Sequence, residues 1–355
     1  VESWEVGLEG KLFKSRLNFD VAYYHSETTD QIITVPIDQA VGATSVVVNA
    51  GCVRNRGVEV SARFQPVKTK EFEWTISANW SKNWNKLVEL ADGVAMWNLN
   101  PNITVGGNIY IRAYPGTELG RLYGRGYERA PEGAFYVDAD GSYVDCSNQI
   151  VVDAETGSAR LTSTEDELLD LGSIYPDWTA GMSHSLSYKG FRLGLSFSAQ
   201  WGGKTYSMTH FALAYQGKLK NSLKGRYAGM IVPGVNLNEN GTYSKNTTIT
   251  TDIVDHYTNY VYAHENAEEN VFDTSFLKLK ELRLEYSLPR HLCSKTRVFQ
   301  GITVGVYATN LFCWTNFPLY DPEAGYAVGS SISRGIEAGA YPMTRTYGIN
   351  LKLDF

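Results

Sequence analysis

A chain of 355 residues has room for two ordinary domains or one large one, and its net charge of −6 leaves no basic footprint for nucleic acid. Aromatic residues reach 13%, led by 23 tyrosines, beside 33 glycines, a mix that suits strands and turns better than helices. No run approaches about eighteen apolar residues, which excludes a helical membrane span; strands that show lipid only every second residue vanish in a mean hydropathy of −0.25.

The chain opens on VESWEVGLEG, with neither an initiator Met nor a basic-then-apolar leader, and reads from its first residues as the middle of a pattern. Trp4, Val6, Leu8 and Leu12 form one apolar stripe, and Leu17, Phe19, Val21 and Tyr23 form the next across a short turn near Lys14. Val58, Val60, Ala62 and Phe64 lead through PVKTKE into Phe72, Trp74, Ile76, Ala78 and Trp80. Trp178, Ala180, Met182, Leu186 and Tyr188 alternate with small polar residues, with His184 the one polar intruder on the apolar face. A tight turn at Lys189-Gly190 joins them to Phe191, Leu193, Leu195, Phe197, Ala199 and Trp201. Leu282, Leu284 and Tyr286 follow, then Ile302, Val304, Val306 and Ala308, and finally YPMTRTYGINLKLDF, apolar on one face except at Arg345 and ending on Phe355. Period two over such lengths predicts strands at about 3–13, 15–26, 57–66, 71–84, 176–188, 190–202, 276–287, 299–311 and 341–355.

The connections alternate between short, near Lys14, Lys68, Lys189 and Arg290, and very long, at about 27–56, 85–175, 203–275 and 312–340. Long structureless loops are rare in compact soluble domains. Short turns at one end and long loops at the other are the layout of a transmembrane antiparallel β-barrel, with Arg63, Asn79, Gln200, Arg283, Glu285, Asn350 and Lys352 turned to water inside. A sandwich would give the same alternation, but these strands are longer than usual, and aromatics gather at their ends as interface girdles do. The alternative is a soluble all-β carbohydrate-binding or hydrolytic module; solubility without detergent separates the two.

Several segments in order, NAGCVRNRGVEVSA, IYPDWTAGMSHSLSYKGFRLGLSFSAQWGG, DTSFLKLKELRLEYSLP, ATNLFCWTNFPLYDPE and YPMTRTYGINLKL, resemble the C-terminal part of the barrel of SusC/RagA-like TonB-dependent outer-membrane transporters. The resemblance covers essentially the whole chain. It implies a barrel of about 22 strands, of which these nine are the C-terminal ones, with an N-terminal plug domain inside it. It also implies a SusD-like surface lipoprotein outside, energy through TonB, and an oligosaccharide or oligopeptide cargo in a Gram-negative outer membrane. Plug, TonB box and the remaining strands belong to the N-terminal remainder of such a transporter, and nine strands, an odd number, are expected not to close by themselves.

Sites are read from the loops. ELGRLYGRGYERAPEG interleaves Arg121, Arg125 and Arg129 with Tyr123 and Tyr127, residue types that stack on sugars and fork onto carboxylates; a packed loop is the plainer reading. Trp97, Trp314, Phe317 and Tyr320 are further candidates for contact with cargo or lipoprotein. DADGSYVD offers Asp138, Asp140, Ser142 and Asp145 as hard oxygen ligands for a structural calcium. It lacks the EF-hand Gly and Glu, having Tyr143 and Gln149 there, and a wet Asp-Gly hairpin explains it equally. No other cofactor is expected. The carboxylate pairs Asp166-Glu167 and Glu268-Glu269 read as solvated charge runs, and no nucleophile, base and metal pattern suggests an enzyme. Cys52, Cys146, Cys293 and Cys313 fit no metal spacing, and Cys293 is expected in no disulfide because the membrane separates it from the others.

Overall fold

The computed structural model describes residues 1–36, 45–49, 51–99, 109–163, 168–293, 295, 298–323, 326–328 and 331–355. Nine long strands form one antiparallel sheet in chain order. They are β1 (Glu2–Leu12), β2 (Leu17–Thr28), β3 (Cys52–Lys68), β4 (Phe72–Glu89), β5 (Trp178–Tyr188), β6 (Phe191–Trp201), β7 (Phe276–Ser287), β8 (Gly301–Thr315) and β9 (Thr346–Asp354). The predicted number and order of strands hold. Among the described residues the sheet does not close, and β1 and β9 each keep one unpaired edge.

Register carries the predicted faces across all nine strands, because Cα partners point to the same side of a sheet. One row runs Leu12, Leu17, Phe64, Ile76, His184, Leu195, Leu282, Ala308, Tyr347. The opposite face reads Glu9, Asp20, Ser61, Asn79, Gly181, Ser198, Lys278. Among the described residues no second layer covers the apolar face: Val6, Leu8, Leu284, Val306, Ile349 and Leu351 all stand exposed on it. His184 is accommodated there because the Trp74 indole donates to its Nδ1 at 3.3 Å and lies nearly parallel to the ring, 6.1 Å away. Aromatics cap the face at both ends: Phe72, Tyr188, Phe191 and Tyr286 are cross-strand neighbours at the short turns, and Trp178 stacks on Trp201 near the long connections.

Four boundaries differ from expectation. β3 and β4 run about five residues further, to Cys52 and Glu89. β8 runs on to Thr315, which places Cys313 and Trp314 in the sheet. β9 begins only at Thr346, since Pro342 has no N–H for the ladder and Tyr341 stands free in solvent. The two-residue turn at Lys189 and Gly190 is as predicted, with φ of 45° and 91°, as a right-twisted hairpin needs.

Close strand contact at Gly57 depends on glycine. The Tyr24 ring lies over it and donates to Asn83 Oδ1 at 3.0 Å, and a Cβ on residue 57 would fall 2.4 Å from that ring and 2.7 Å from the Lys82 carbonyl oxygen. Tyr307 covers Gly348 in the same way. Gly57→Val should cost about 1–3 kcal/mol by overpacking, measured by urea unfolding in lipid vesicles; unchanged stability would contradict this register.

Most of the buried core lies beyond the sheet, with Val53 and Leu87 at the ends of β3 and β4 joining it. The long connections, expected as loops, fold into a crown at one end. A four-stranded sheet orders Leu169–Ser173, Arg121–Gly124, Tyr110–Ala113 and Trp97–Asn98. Val271–Asp273, Lys204–Ser207 and Ile336–Glu337 form a three-stranded sheet, and helix α1 (Met208–Tyr215) follows directly. Ile109, Ile111, Leu122, Tyr206, Phe211, Ala267 and Ile336 form their common core. Segments far apart in sequence thus bury their apolar residues against each other, and against the sheet only at the ends of β3 and β4, at Val53 and Leu87.

Candidate functional site

The candidate residues lie in the crown, on the polar face of the sheet and, for Trp314, on its apolar face. The Arg-Tyr stretch proves to be an internal strut. Arg121 is held by Asp170 at 2.7 Å and Glu118 at 3.4 Å, and Tyr123 packs edge-on against Tyr114. The carbonyl of Arg125 accepts from the N–H groups of Ala267 and Glu268. Tyr127 is buried; its N–H donates to Glu268 at 3.0 Å and its O–H to Glu269 at 2.8 Å, while Arg129 reaches Glu268 at 2.6 Å. Burial pushes the Glu269 carboxyl up, opposed by the Tyr127 hydrogen bond. Glu268-Glu269 is therefore a brace between two connections and not a solvated run; Asp166-Glu167 lies outside the described residues. Sequence reasoning missed this brace because its partners stand about 140 residues apart.

Trp97 is half-buried against Val53, Leu87 and Ala113. Trp314 sits in β8 opposite Leu277, stacked on Phe312, on the apolar face and not in a loop. Period two simply continues past residue 311 to it. Phe317 is buried against Phe272, so of the aromatic candidates Tyr320 alone is freely exposed on a connection.

Asp138, Asp140, Ser142 and Asp145 lie on an exposed hairpin in which Phe135–Val137 pairs with Tyr143–Asp145. Asp138 Oδ1 accepts from the Asp140 N–H at 2.9 Å, and Asp140 Oδ1 from the Ser142 N–H at 3.0 Å. A second hairpin one hundred residues on, VNLNENGTYSK, closes the same way, with Asn240 Oδ1 accepting from the Thr242 N–H at 3.1 Å and Gly241 at positive φ like Gly141. Asparagine does there what aspartate does here, so turn chemistry accounts for the carboxylates without a cation. Among the described residues no group of three or more His, Cys, Asp or Glu side chains is placed to hold a metal. The four cysteines are free.

The most tightly built cluster links a strand of the sheet to the crown. Lys278, on the polar face of β7, places Nζ 2.5 Å from Asp321 Oδ1 and 2.5 Å from Glu323 Oε2, and Lys280 reaches Glu323 at 2.8 Å. Lys280 is the extra residue of a bulge in β7, where the apolar positions step from Leu279 to Leu282. These four side chains come from the LKLKE and DPE stretches quoted above. A second buried carboxylate, Glu337, accepts from Ser207 Oγ at 2.5 Å and Thr209 Oγ1 at 2.6 Å, and Ser207 Oγ also caps α1 by accepting from the His210 N–H.

His210 itself sits between Asn270 Oδ1, 2.9 Å from Nδ1, and Asn221 Nδ2, 3.4 Å from Nε2. A neutral ring with its proton on Nδ1 satisfies both. Burial holds its pKa below the usual imidazole range, and His256 is shifted the same way. The folded value lies below the unfolded one, so the stability it contributes is full above about pH 6.5 and declines as pH falls through the folded value. Protection of the α1 amides, corrected for the intrinsic pH dependence of exchange, should fall between pH 7.5 and 5.5; equal protection at both would contradict the neutral-ring assignment.

The sheet is thus a wall, apolar on one side and polar on the other, with a folded crown at one end. Its polar face holds a groove of about 730 Å³ bordered by Glu9, Lys11, Asp20, Arg63 and Asn79, and a cavity of about 1490 Å³ at the short-turn end.

A family model described as TonB dependent receptor-like, beta-barrel matches residues 1–206. TonB-dependent receptor P3 of Formosa agariphila is 27% identical over an alignment that takes in 99% of this chain and 34% of that protein. TonB-dependent receptor SusC of Bacteroides thetaiotaomicron is 22% identical, over 99% of this chain and 32% of that protein. Among solved structures, the RagAB peptide importer in its closed-closed state superposes with a TM-score of 0.67 at 22% identity, over 99% of this chain and 35% of that one, a likeness of fold. The chain spans about a third of the length of the relatives it matches.

Proposed function

Because the chain belongs to the TonB-dependent receptor β-barrel family, we propose that it forms the C-terminal wall of a SusC-like outer-membrane importer for oligosaccharides or oligopeptides. Its relatives are TonB-dependent receptors and transporters, not enzymes. The observation that carries the reading is the nine-stranded sheet with one face apolar across all nine strands save at His184 in its middle, and one polar face. Such a sheet is stable where lipid covers the first and a water-filled lumen the second. The unpaired edges of β1 and β9 support a barrel with more strands than these nine, since open edges have no partner in hydrocarbon, and the family resemblance implies about 22 in all. The remaining strands and a plug domain would come from an N-terminal portion of the same transporter. The crown then faces the outside. The surface around its exposed Tyr320 is the one we assign to a SusD-like lipoprotein or to cargo, with TonB acting from the periplasm.

The test is extraction and uptake. The full-length transporter should leave the membrane only with detergent and co-purify with a surface lipoprotein, and its co-purifying cargo should no longer enter cells lacking TonB. A protein that stays monodisperse without detergent would overturn the barrel, and uptake independent of TonB would overturn the importer.

A further inference from the structure

Beyond the aromatic girdle at the crown end, the apolar face of the sheet turns basic. Phe191 and Trp201 are the two ends of β6. Its rise of about 3.4 Å per residue, tilted by about 40°, carries the strand about 26 Å between them, the height of the apolar band of a barrel. Lys82 stands at the level of Trp178 and Trp201, one residue beyond the Ser81–Thr179 pair. Register sets the next row of the same face at Trp4, His25, Arg56 and Trp84, and the row after it at Glu2, Glu27, Arg54 and Lys86. Two residues of a tilted strand rise about 5 Å, so these rows lie about 5 and 10 Å outward of the girdle, at headgroup level.

Trp84 is the centre of this cluster. Lys82 and Lys86 flank it along β4, and Arg56 is its cross-strand partner on β3. The Lys82 ammonium lies over the Trp84 ring, 5.1 Å from its centre. Diagonal neighbours on one face of a sheet are about 7–8 Å apart, so these three long side chains reach a common point beside the indole. Arg54 is paired with Glu27, and Glu2 lies on the edge strand β1. Lys82, Arg56 and Lys86 have no ion pair among the described residues, and Trp84 is 40% exposed. On a water-facing surface such cations need no partner. Here they continue the rows Val6–Tyr23–Val58 and Leu8–Val21–Val60–Trp80 of the lipid face, so what they meet is the membrane interface.

We propose that Arg56, Lys82 and Lys86 bind the phosphate of an outer-leaflet glycolipid whose acyl chains lie along Val58, Val60 and Trp80. The proposal rests on the barrel reading above, which sets the long connections outside. The outer leaflet of an outer membrane presents phosphate on a glycolipid, and a guanidinium fork with two ammonium groups matches its oxygens. A free phosphate would meet the cations alone, whereas the lipid also covers the apolar rows beneath them. Each basic side chain at an anionic lipid surface favours binding about fivefold, so three favour it by roughly a hundredfold.

The test uses the full-length transporter in phosphatidylcholine vesicles doped with lipopolysaccharide, either intact or dephosphorylated, and reads the glycolipid that stays bound through mild detergent extraction. Arg56→Gln/Lys86→Gln is compared with the charge-keeping Arg56→Lys/Lys86→Arg. The control Lys11→Gln/Arg63→Gln removes two cations from the polar face. Heat-modifiable migration on gels first confirms that each barrel is folded. Retention of intact glycolipid should fall roughly tenfold or more in the first variant and stay native in the other two. The dephosphorylated form should be held no better by the native protein than by the first variant. Equal retention of intact glycolipid by the native protein and the first variant would overturn the proposal, as would an equal loss in the polar-face control. So would inorganic phosphate that displaces the glycolipid at an ionic strength where chloride does not, the mark of a free-anion site. If the native transporter stays monodisperse without detergent, the barrel reading itself fails, a result distinct from any of these.

Discussion

Replacing Leu195 with arginine should destabilise the protein in a bilayer by about 2–4 kcal/mol, the cost of a cationic side chain on the lipid face near mid-membrane. Leu195 lies in β6 between His184 and Leu282, in the middle of the apolar row. Its neighbour Ser196 is the proper control. It faces the other way, between Ser183 and Glu281, so an arginine there meets water and a carboxylate and should change stability little. Gln200 is also on the polar face, but it donates to the Thr274 hydroxyl at 2.9 Å, and its replacement would confound a lost hydrogen bond with charge. Urea unfolding in vesicles of defined thickness reads the difference. Equal losses at 195 and 196 would show that lipid does not cover the apolar face.

The sheet was legible because its signal is local and repeated. A period-two run such as Phe191 to Trp201 fixes both a strand and its face, and a two-residue turn at Lys189-Gly190 fixes the register with the next strand. The bulge at Lys280 was not predicted, although the three-residue step from Leu279 to Leu282 marks it. The crown was not. Its strands are two to five residues long, as at Trp97–Asn98 and Leu169–Ser173, too short for periodicity to identify. What orders them is contact over long separations, such as Arg129 with Glu268, or the parallel pair of Tyr206 and Ile336. The candidate residues fared accordingly. Residue type marked Tyr127 and Trp314 as ligand-like, but burial in one case and strand phase in the other turned them to structure. The likeness of the two hairpins, YVDADGSYVD and VNLNENGTYSK, was a signal within reach, and it explains the aspartates by turn geometry.

Lys278→Met should be the most damaging single change on the polar face. The lysine side chain is only 4% exposed, and its Nζ bridges Asp321 and Glu323 while lying 4.4 Å from the centre of the Phe276 ring. Methionine fills similar volume but leaves Asp321 buried without a cation, and breaking one partner of such a pair costs about 3–5 kcal/mol. Lys280→Met should cost far less, about 0–1 kcal/mol, because Lys280 is more exposed and Glu323 keeps Lys278. Adding Asp321→Asn to Lys278→Met should recover part of the loss, since no unpaired charge then remains. Acid tests the same cluster. Burial raises the Glu323 pKa, but the hydrogen bonds from Lys278 and Lys280 outweigh it and hold the carboxyl below its usual range. Its folded value therefore lies below the unfolded one, so its contribution is full above about pH 4.5 and is lost as pH falls through the folded value. Limited proteolysis should thus cut beside the Asp321–Glu323 stretch in the native protein only in strong acid, and at neutral pH in Lys278→Met. The consequence is local: β7 and the crown are joined at this point by charge rather than by apolar packing, so release of the connection should leave the nine-stranded ladder intact. If Lys278→Met keeps native resistance at neutral pH, the DPE stretch is held by something other than this lysine.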